Sequence, residues 1–369
     1  MKRVDKLDDI WERPAHTAAK HELLARYLDA WFAIFGQSYQ GRVVYLDGFA
    51  GPGSYAGGED GSPILAVRRL LNHVAFDRLR DTEYIFAFNE GDEKRHAELC
   101  AAVDELQASY GTSWPENVVI PEPKNQEFSE FADGVIDALQ GRRLAPSFFF
   151  IDPFGYSDVS MEQVATLLGY PHCDLLIYFD FNSVNRFGTA GNVDHLFERL
   201  FGTDTYKNAP PAGHPDRGEY FRQCYEDGLR TICNMSLVQS FAMETEDGRL
   251  GYYLFFCTND AQAFDRMKEA MWKIDPDSGS RFSYDFAGQD SLFGPDETLR
   301  PLHDAMLDHF AGQTVLVPTI TQWVITETPF HSGQVKKKTL KVLENAQSIH
   351  VLRPHPRAQF NDQVRITFP

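Results

Sequence analysis

Apolar residues recur along this chain in two periods. From Lys20 to Phe35, Leu23, Leu24, Tyr27, Leu28, Trp31 and Phe32 fall three or four residues apart, which predicts an amphipathic helix. Short, nearly continuous apolar runs follow. Val43 to Asp47, Glu83 to Asn89 (EYIFAFN), Asn117 to Pro121 (NVVIP), Ser147 to Ile151 (SFFFI) and Asp174 to Phe181 (DLLIYFDF) read as strands buried on both faces. Between them, Glu93 to Ala108, Phe128 to Leu139 and Met161 to Leu168 read as helices, as does the stretch after Ser62-Pro63, where a capping hydroxyl precedes a proline. This alternation predicts an α/β fold with a doubly wound, mostly parallel sheet. A helix near Glu219 to Cys233 and strands at Leu237 to Met243 and Tyr252 to Thr258, joined by the hairpin signal Asp247-Gly248, complete the pattern.

A polar stretch from Asp275 to Pro295 marks a boundary. Beyond it, Thr298 to Phe310, Thr319 to Glu327 and Gln334 to Asn345 read as helices, with short strands at Ile349 to Arg353 and Val364 to Phe368. Three helices followed by a hairpin is the order of a winged helix-turn-helix. The expected organisation is a helical segment over residues 1–35 packing on the core, a Rossmann-like domain over 36–295 with an insertion at about 185–235, and a small winged-helix-like domain over 296–369.

The 369 residues, 43% of them hydrophobic and 29 of them Phe, suffice for one large core plus an appendage. No apolar run reaches the length of a membrane span and the charged start MKRVDKLDD lacks the apolar stretch of a signal peptide, so a cytosolic protein is expected. The five cysteines contain no CxxC pair and read as buried reduced thiols; no metal site is expected. A net charge of −18 argues against a protein that coats nucleic acid. From Arg300 onward, however, eight Lys/Arg outnumber five Asp/Glu, and Lys336, Lys337, Lys338 and Lys341 sit on the third helix of the tail. They are candidates for phosphate contact, or else the solvated face of a protein-docking module.

Chemistry concentrates at VVYLDGFAGPG, Val43 to Gly53. An acid closes an apolar strand there and a loop with Gly48, Gly51 and Gly53 follows, letting the main chain approach a nucleoside cofactor closely. The acid precedes the glycines and their spacing is not G-x-G-x-x-G, which disfavours NAD and FAD. A glycine-rich turn without a cofactor is the alternative. The string resembles the first motif of S-adenosylmethionine-dependent methyltransferases, especially the D-x-F-A-G-x-G version found among those acting on nucleic acid. That resemblance places the cofactor against Asp47, Gly48, Phe49, Ala50, Gly51 and Gly53, with Glu90 at the end of the second strand taking the ribose hydroxyls and Asn125-Gln126 reading the adenine edge. The long connection from Gly48 to Gly61 is either a lid or a surface loop.

IDPFGY, Ile151 to Tyr156, follows the fourth strand. It is similar to the Asp/Asn-Pro-Pro-aromatic tetrad of base amino-methyltransferases, in which an oxygen and a carbonyl hold the target amine while a ring stacks on the base. Asp152 and Pro153 match, but Phe154 replaces the second proline, so Phe154 or Tyr156 would supply the ring; Asp-Pro-x-Gly is also a common turn. Asp180, Asn182, Asn185 and Arg186 leave the fifth strand beside the same crevice, to orient substrate or merely to cap a helix. No Pro-Cys dipeptide is present to serve a cytosine-C5 enzyme.

Taken together, WERPAHTAAKHELLARYLDAW (Trp11 to Trp31), YLDGFAGPGSYAGGEDGSP (Tyr45 to Pro63), FIDPFGY (Phe150 to Tyr156) and MWKIDP (Met271 to Pro276) resemble the bacterial three-Cys-motif partner protein (TcmP) family. The resemblance implies a methyltransferase-type domain working beside a radical-SAM-like protein that bears three cysteines. It also implies that Lys20, with His16 and Thr17, closes over the methionyl end of the cofactor. The expected function is methyl transfer to nucleic acid or a nucleotide-like group. A non-catalytic accessory that recruits nucleic acid and the partner is the competing class, and a metal-dependent nuclease using Asp152 and Glu90 has the least motif support.

Overall fold

The computed structural model describes residues 14–38, 41–139, 144–153, 155, 159–187, 194–284, 295–355 and 357–369. Phe154 and Tyr156, the candidate stacking rings, lie outside the described residues, as does part of the polar stretch before residue 295. The chain divides into two compact units, Met1–Asn259 and Asp260–Pro369.

In the first unit the strands are β1 (Arg42–Asp47), β2 (Glu83–Phe88), β3 (Val118–Val119), β4 (Ser147–Ile151), β5 (Cys173–Phe179), β6 (Leu237–Glu244) and β7 (Leu250–Thr258). Their spatial order is β3-β2-β1-β4-β5-β7-β6, parallel from β3 through β5, with β7 antiparallel to both β5 and β6. The result is a mixed α/β sheet with an antiparallel pair at one side of a parallel array. The order reverses between β1 and β4, so the connections leaving these neighbours diverge at their carboxyl ends, the place where open α/β sheets take ligands.

Burial explains why the strands read so clearly. All five side chains of β4 are buried, whereas β2 alternates, with Tyr84, Phe86 and Phe88 inward. On one face lies α1 (Ala15–Ser38), whose Tyr27 and Trp31 rings pack on Phe148 at centroid distances of 5.1 and 6.0 Å. On the other face α4 (Phe128–Leu139), α5 (Met161–Leu168) and α8 (Arg217–Thr231) close a core that includes Phe149, Leu175, Phe179 and Tyr225. The remaining helices of this unit are α2 (Ser62–Leu71), α3 (Glu93–Tyr110), α6 (Phe181–Phe187) and α7 (Asp194–Phe201).

Three local expectations are corrected. Ser62 does not cap α2: Gly61 holds the cap position without a side-chain bond, and the Ser62 hydroxyl donates to Asp47 instead. Ser62 is the first helical residue rather than the cap, and its hydroxyl acts as donor to the buried carboxyl instead of accepting from the first-turn amides. FNSVNRF, read as polar residues leaving a strand, forms α6, with Asp180 Oδ1 accepting from Ser183 N at 3.1 Å. The helix α7 was not among the elements expected from the sequence, although Leu196, Phe197, Leu200 and Phe201 recur at helical spacing; Phe197, Leu200 and Phe201 bury its apolar side.

In the second unit α9 (Ala261–Ile274) leads, followed by α10 (Arg300–His309), β8 (Thr314–Leu316), α11 (Val317–Glu327), β9 (His350–Leu352) and β10 (Arg365–Thr367). The three short strands form an antiparallel sheet in the order β9-β10-β8, one strand more than the hairpin read from sequence. The expected third helix is a π-helical turn, Lys336–Leu340, running into α12 (Lys341–Asn345). The unit begins at α9 rather than at residue 296 because α9 is anchored within it. Lys268 Nζ donates to the carbonyls of Val324, Ile325 and Thr328 at 3.1, 2.6 and 2.8 Å, and Trp272 Nε1 donates to Pro329 O at 2.9 Å. A buried ammonium at the end of α11 is satisfied by the last carbonyls of that helix and favoured by its dipole.

Cys173, Cys224, Cys233 and Cys257 are buried, Cys100 is half-buried, and none is in a disulfide. Among the described residues, no helix is long and apolar enough to cross a membrane.

Candidate functional site

The crevice at the carboxyl ends of β1 and β4 is built mostly from main chain. Gly48 N donates to Phe150 O at 3.1 Å, Ala50 N to Asn89 O at 2.9 Å, and Asn89 N to Asp47 O at 3.0 Å. Asn89 Nδ2 adds bonds to Gly48 O and Gln126 O, both 3.1 Å. These cross-links fix where the first loop leaves the sheet. Further out, Gly61 N bonds Gly53 O at 2.8 Å and Tyr55 N bonds Glu59 O at 2.9 Å, so the long connection folds back on itself.

The glycines of this loop serve different ends. Gly48 makes room for a neighbour: a Cβ there would lie 2.6 Å from the Phe128 ring, which stacks on Phe49 at 5.1 Å. Gly51 sits at φ +64° with nothing within 4 Å of where a Cβ would project, and its N–H is taken by Glu90. Gly53, at φ +82°, turns the chain back toward Ala102. An L side chain at either would be strained. Ala50 is buried beneath them.

Asp47 is fully buried. Its Oδ2 accepts from the Ser62 hydroxyl at 2.6 Å and, more weakly, from Tyr45 at 3.4 Å; its Oδ1 accepts from Phe49 N at 3.3 Å. Burial, reinforced by the nearby charge of Asp152, pushes its pKa up to about 7 against the pull of the Ser62 and Phe49 bonds and of Lys20. A carboxyl poised near neutrality therefore underlies the loop.

Across the crevice, Lys20 of α1 forms an ion pair with Asp152, the residue following β4. His16, one turn earlier on α1, has its pKa lowered by burial and by Lys20. Its ring meets Tyr252 edge-on at 6.0 Å, and Tyr252 packs on Tyr178 at 4.5 Å. Tyr178 is the only half-buried residue of β5, and burial, with the charges of Asp180 and Asp152, raises its pKa. The topology thus brings Lys20, Asp47, Asp152 and the glycine loop to one edge of the sheet. Pro153 follows Asp152 and is buried.

Other candidates are occupied differently from what the sequence suggests. Glu90 Oε2 accepts from Gly51 N at 2.9 Å, while Oε1 accepts from Asp92 N at 2.9 Å and pairs with Arg95, also at 2.9 Å. In this geometry it braces the glycine loop against α3, and a two-pronged grip on a ribose would compete with those bonds. Asn125 spends both amide protons on the carbonyls of Glu90 and Gly91, at 2.8 and 3.1 Å, and so ties one loop to another. Asn185 Oδ1 accepts from Arg217 Nε at 2.8 Å, while Asn182 and Arg186 are exposed on α6. In the second unit Lys336, Lys337 and Lys338 are exposed together, whereas Lys341 pairs with Glu344 at 3.0 Å, an acid also bound by Arg353.

Ser62, Tyr178, Tyr252 and Arg217 are the participants that sequence reasoning missed. Ser62 was visible but credited to a helix cap. The two tyrosines sit within apolar strands where nothing distinguishes them from core, and Arg217 opens a helix whose partner residues are distant in sequence.

No protein-family model matches the chain, and no curated protein sequence matches it. Solved structures that match include a Legionella pneumophila protein, LPL1258, described by the family model DUF519 (10% identity, TM-score 0.36, covering 67% of this chain and 86% of that one). The carbon methyltransferase DszA matches at 12% identity and TM-score 0.33, over 67% of this chain and 55% of that one. The plantazolicin methyltransferase BpumL, solved with a desmethyl substrate analogue and SAH, matches at 8% identity and TM-score 0.30, over 66% and 86%. These are distant superpositions, and the functional reading rests on the chain's own geometry.

Proposed function

We propose that this chain binds S-adenosylmethionine in the crevice between β1 and β4 and directs its methyl group to nucleic acid or a nucleotide-like acceptor. The observation that carries this reading is the meeting of Asp47, the left-handed glycine turn at Gly51 and Gly53 and the Lys20–Asp152 pair where the strand order reverses. Open α/β sheets take their ligands at that point. The cofactor, when bound, supplies an electrophilic methyl group on a sulfonium. The main chain of Gly51 to Gly53 would hold its carboxylate and sugar, with Asp47 beneath. Lys20 fixes the carboxylate of Asp152, which with Pro153 and the rings of Phe154 or Tyr156 would align the acceptor; such positioning, rather than acid-base chemistry, governs an in-line displacement.

Calorimetry with S-adenosylmethionine and with its demethylated product should show saturable binding of both. Asp152→Ala should retain that binding while lowering labelled methyl transfer to RNA or DNA by about 100-fold, the loss that follows from misaligned reactants. No binding of either compound to the wild type would end this reading.

A second reading has its own support. Glu90 is already satisfied by Gly51 N, Asp92 N and Arg95, as suits a fold retained for assembly rather than catalysis. In that case the chain is an accessory to a radical-SAM-like three-Cys protein, the partner that the family resemblance implies in either reading. The second unit would then serve as a winged-helix-like recruiter of nucleic acid through Lys336, Lys337 and Lys338. Replacing all three with Glu in the full chain should flatten the salt dependence of DNA binding by about 0.9 log units per log salt for each lysine on a phosphate. An unchanged slope would assign that surface elsewhere.

A further inference from the structure

Beside the crevice, the chain leaving β5 forms a second concavity that neither the glycine loop nor the Lys20–Asp152 pair uses. Two open grooves, about 430 and 530 Å³, share Phe181, Asn185 and Leu250 as lining. Each is large enough for a small ligand. Their walls are α6, the start of α8 and the β6–β7 hairpin, and the rings of Phe181 and Tyr253 meet edge-on at 6.1 Å. Because β5 neighbours β4 in parallel, this groove opens at the same edge of the sheet as Asp152.

The smaller groove is lined by Arg217, only 1% exposed. Its Nε donates to Asn185 Oδ1 at 2.8 Å, one terminal nitrogen donates to Pro210 O, the other reaches Asn185 O at 3.4 Å, and the guanidinium lies 4.8 Å over the Phe221 ring. All of these partners are neutral. Among the described residues no carboxylate forms an ion pair with it, and burial lowers its pKa with no acid to oppose the shift. The acids nearby are committed: Glu219 is held by Arg222 through bonds of 2.5 and 2.8 Å, and Asp247 by Arg249. A buried cation without a counter-charge is costly, so such a group is more economically explained by a ligand than by the fold. Two further features face the same way. Arg217 is the first residue of the 15-residue α8, whose cap residue Asp216 makes no side-chain cap bond, while the Arg217 amide donates to His214 O at 3.2 Å. Asn182, exposed on the wall of the adjoining larger groove that shares Phe181, Asn185 and Leu250, adds an uncharged amide.

We infer that this groove is an oxyanion subsite in which Arg217 meets a phosphate, the phosphate belonging to the methyl acceptor. The assignment to an acceptor rests on the reading above; the anion site itself does not. Phosphate completes the guanidinium's donors in a fork geometry, and the Phe181 and Tyr253 rings beside it suit the sugar or base of a nucleotide.

Thermal unfolding of the full chain without S-adenosylmethionine tests this directly. Inorganic phosphate should raise the midpoint saturably relative to chloride at equal ionic strength, and a nucleoside 5′-monophosphate should do so at lower concentration than phosphate, while the unphosphorylated nucleoside has little effect. Asn182→Asp, an exposed change that places a negative charge on the groove wall, should weaken the apparent phosphate affinity about tenfold. Arg217→Lys keeps a charge but loses the fork and should weaken it similarly; if that variant does not fold, Asn182→Asp still decides. Equal effects of phosphate and chloride on the wild type, or equal phosphate affinity in wild type and Asn182→Asp, would overturn the proposal. If phosphate alone binds and the monophosphate gains nothing over it, the site holds a free anion rather than an acceptor. Since no cofactor is present, failure here leaves cofactor binding untouched, and failure of the calorimetry leaves this result standing.

Discussion

Asp174→Ala should destabilise the first unit by at least about 3 kcal/mol, since three buried donors lose their acceptor at about 1–3 kcal/mol each. Asp174 is a buried acid within β5, and its carboxylate collects Tyr27 OH at 2.8 Å, Trp31 Nε1 at 3.1 Å and Thr258 Oγ1 at 2.5 Å. Tyr27 and Trp31 belong to α1, and both are wholly buried. One carboxylate thus fastens the N-terminal helix to the sheet through two side chains a turn apart. Asp174→Asn keeps one acceptor oxygen and should cost less. Denaturant unfolding followed by tryptophan fluorescence measures both variants; a loss below about 1 kcal/mol for Asp174→Ala would show that these donors find other partners or water. The effect reaches the site as well. Lys20 rides on the same helix, so loosening α1 should also release Asp152 and lower any methyl transfer beyond what the loss of stability explains.

Much of the parallel sheet could be read from the chain because its strands are buried on both faces. SFFFI admits no period-two reading and no helix of useful length, so β4 falls at Ser147–Ile151, where the apolar run places it. Phe128–Leu139 and Met161–Leu168 likewise begin and end where their apolar patterns do. The misreadings have a common cause. Asn182, Asn185 and Ser183 lower helix propensity, yet α6 forms because Phe181 and Val184 are buried and Asp180 caps it. The lysine-rich segment contains buried Thr339 and Leu340 and takes a π turn, a local insertion that no sequence period reveals. At the site, Asp47 and Asp152 were legible because each follows a strand directly. The Lys20–Asp152 pair joins residues 132 apart in sequence and is visible only once α1 is packed on the sheet beside β4. The bonds that occupy Glu90 and Asn125 were hidden for the same reason: apart from Asp92 N and Arg95, the partners Gly51 and Asn125 stand 39 and 35 residues from Glu90 and meet it only in the folded sheet edge.

The pH dependence of stability should carry the signature of Asp47. Its pKa is raised to about 7 in the fold against an ordinary 3.8, chiefly by burial and then by Asp152, with Ser62, Phe49 N and Lys20 opposing. Between those values the folded chain keeps a proton that the unfolded chain has released. The stability linked to this proton is complete below about pH 4 and is lost as pH rises through about 7, a loss of about 4 kcal/mol if the whole shift is realised, at 1.36 kcal/mol per unit. Asp47→Asn preserves an acceptor for the Ser62 hydroxyl and removes the titration. Lys20, Asp152 and Tyr45, which also face this carboxyl, are present in both proteins and cancel in the comparison. The variant should therefore gain on the wild type by about 3 kcal/mol between pH 5 and pH 7.5, read from denaturant midpoints at each pH. Parallel curves would mean that Asp47 is ionised throughout that range in the fold. A fold that accepts this penalty at neutral pH gains a carboxylate that a sulfonium would help to ionise. Binding of S-adenosylmethionine near pH 7 should accordingly release protons, detected as an enthalpy that changes with the ionisation heat of the buffer, and Asp47→Asn should abolish that dependence.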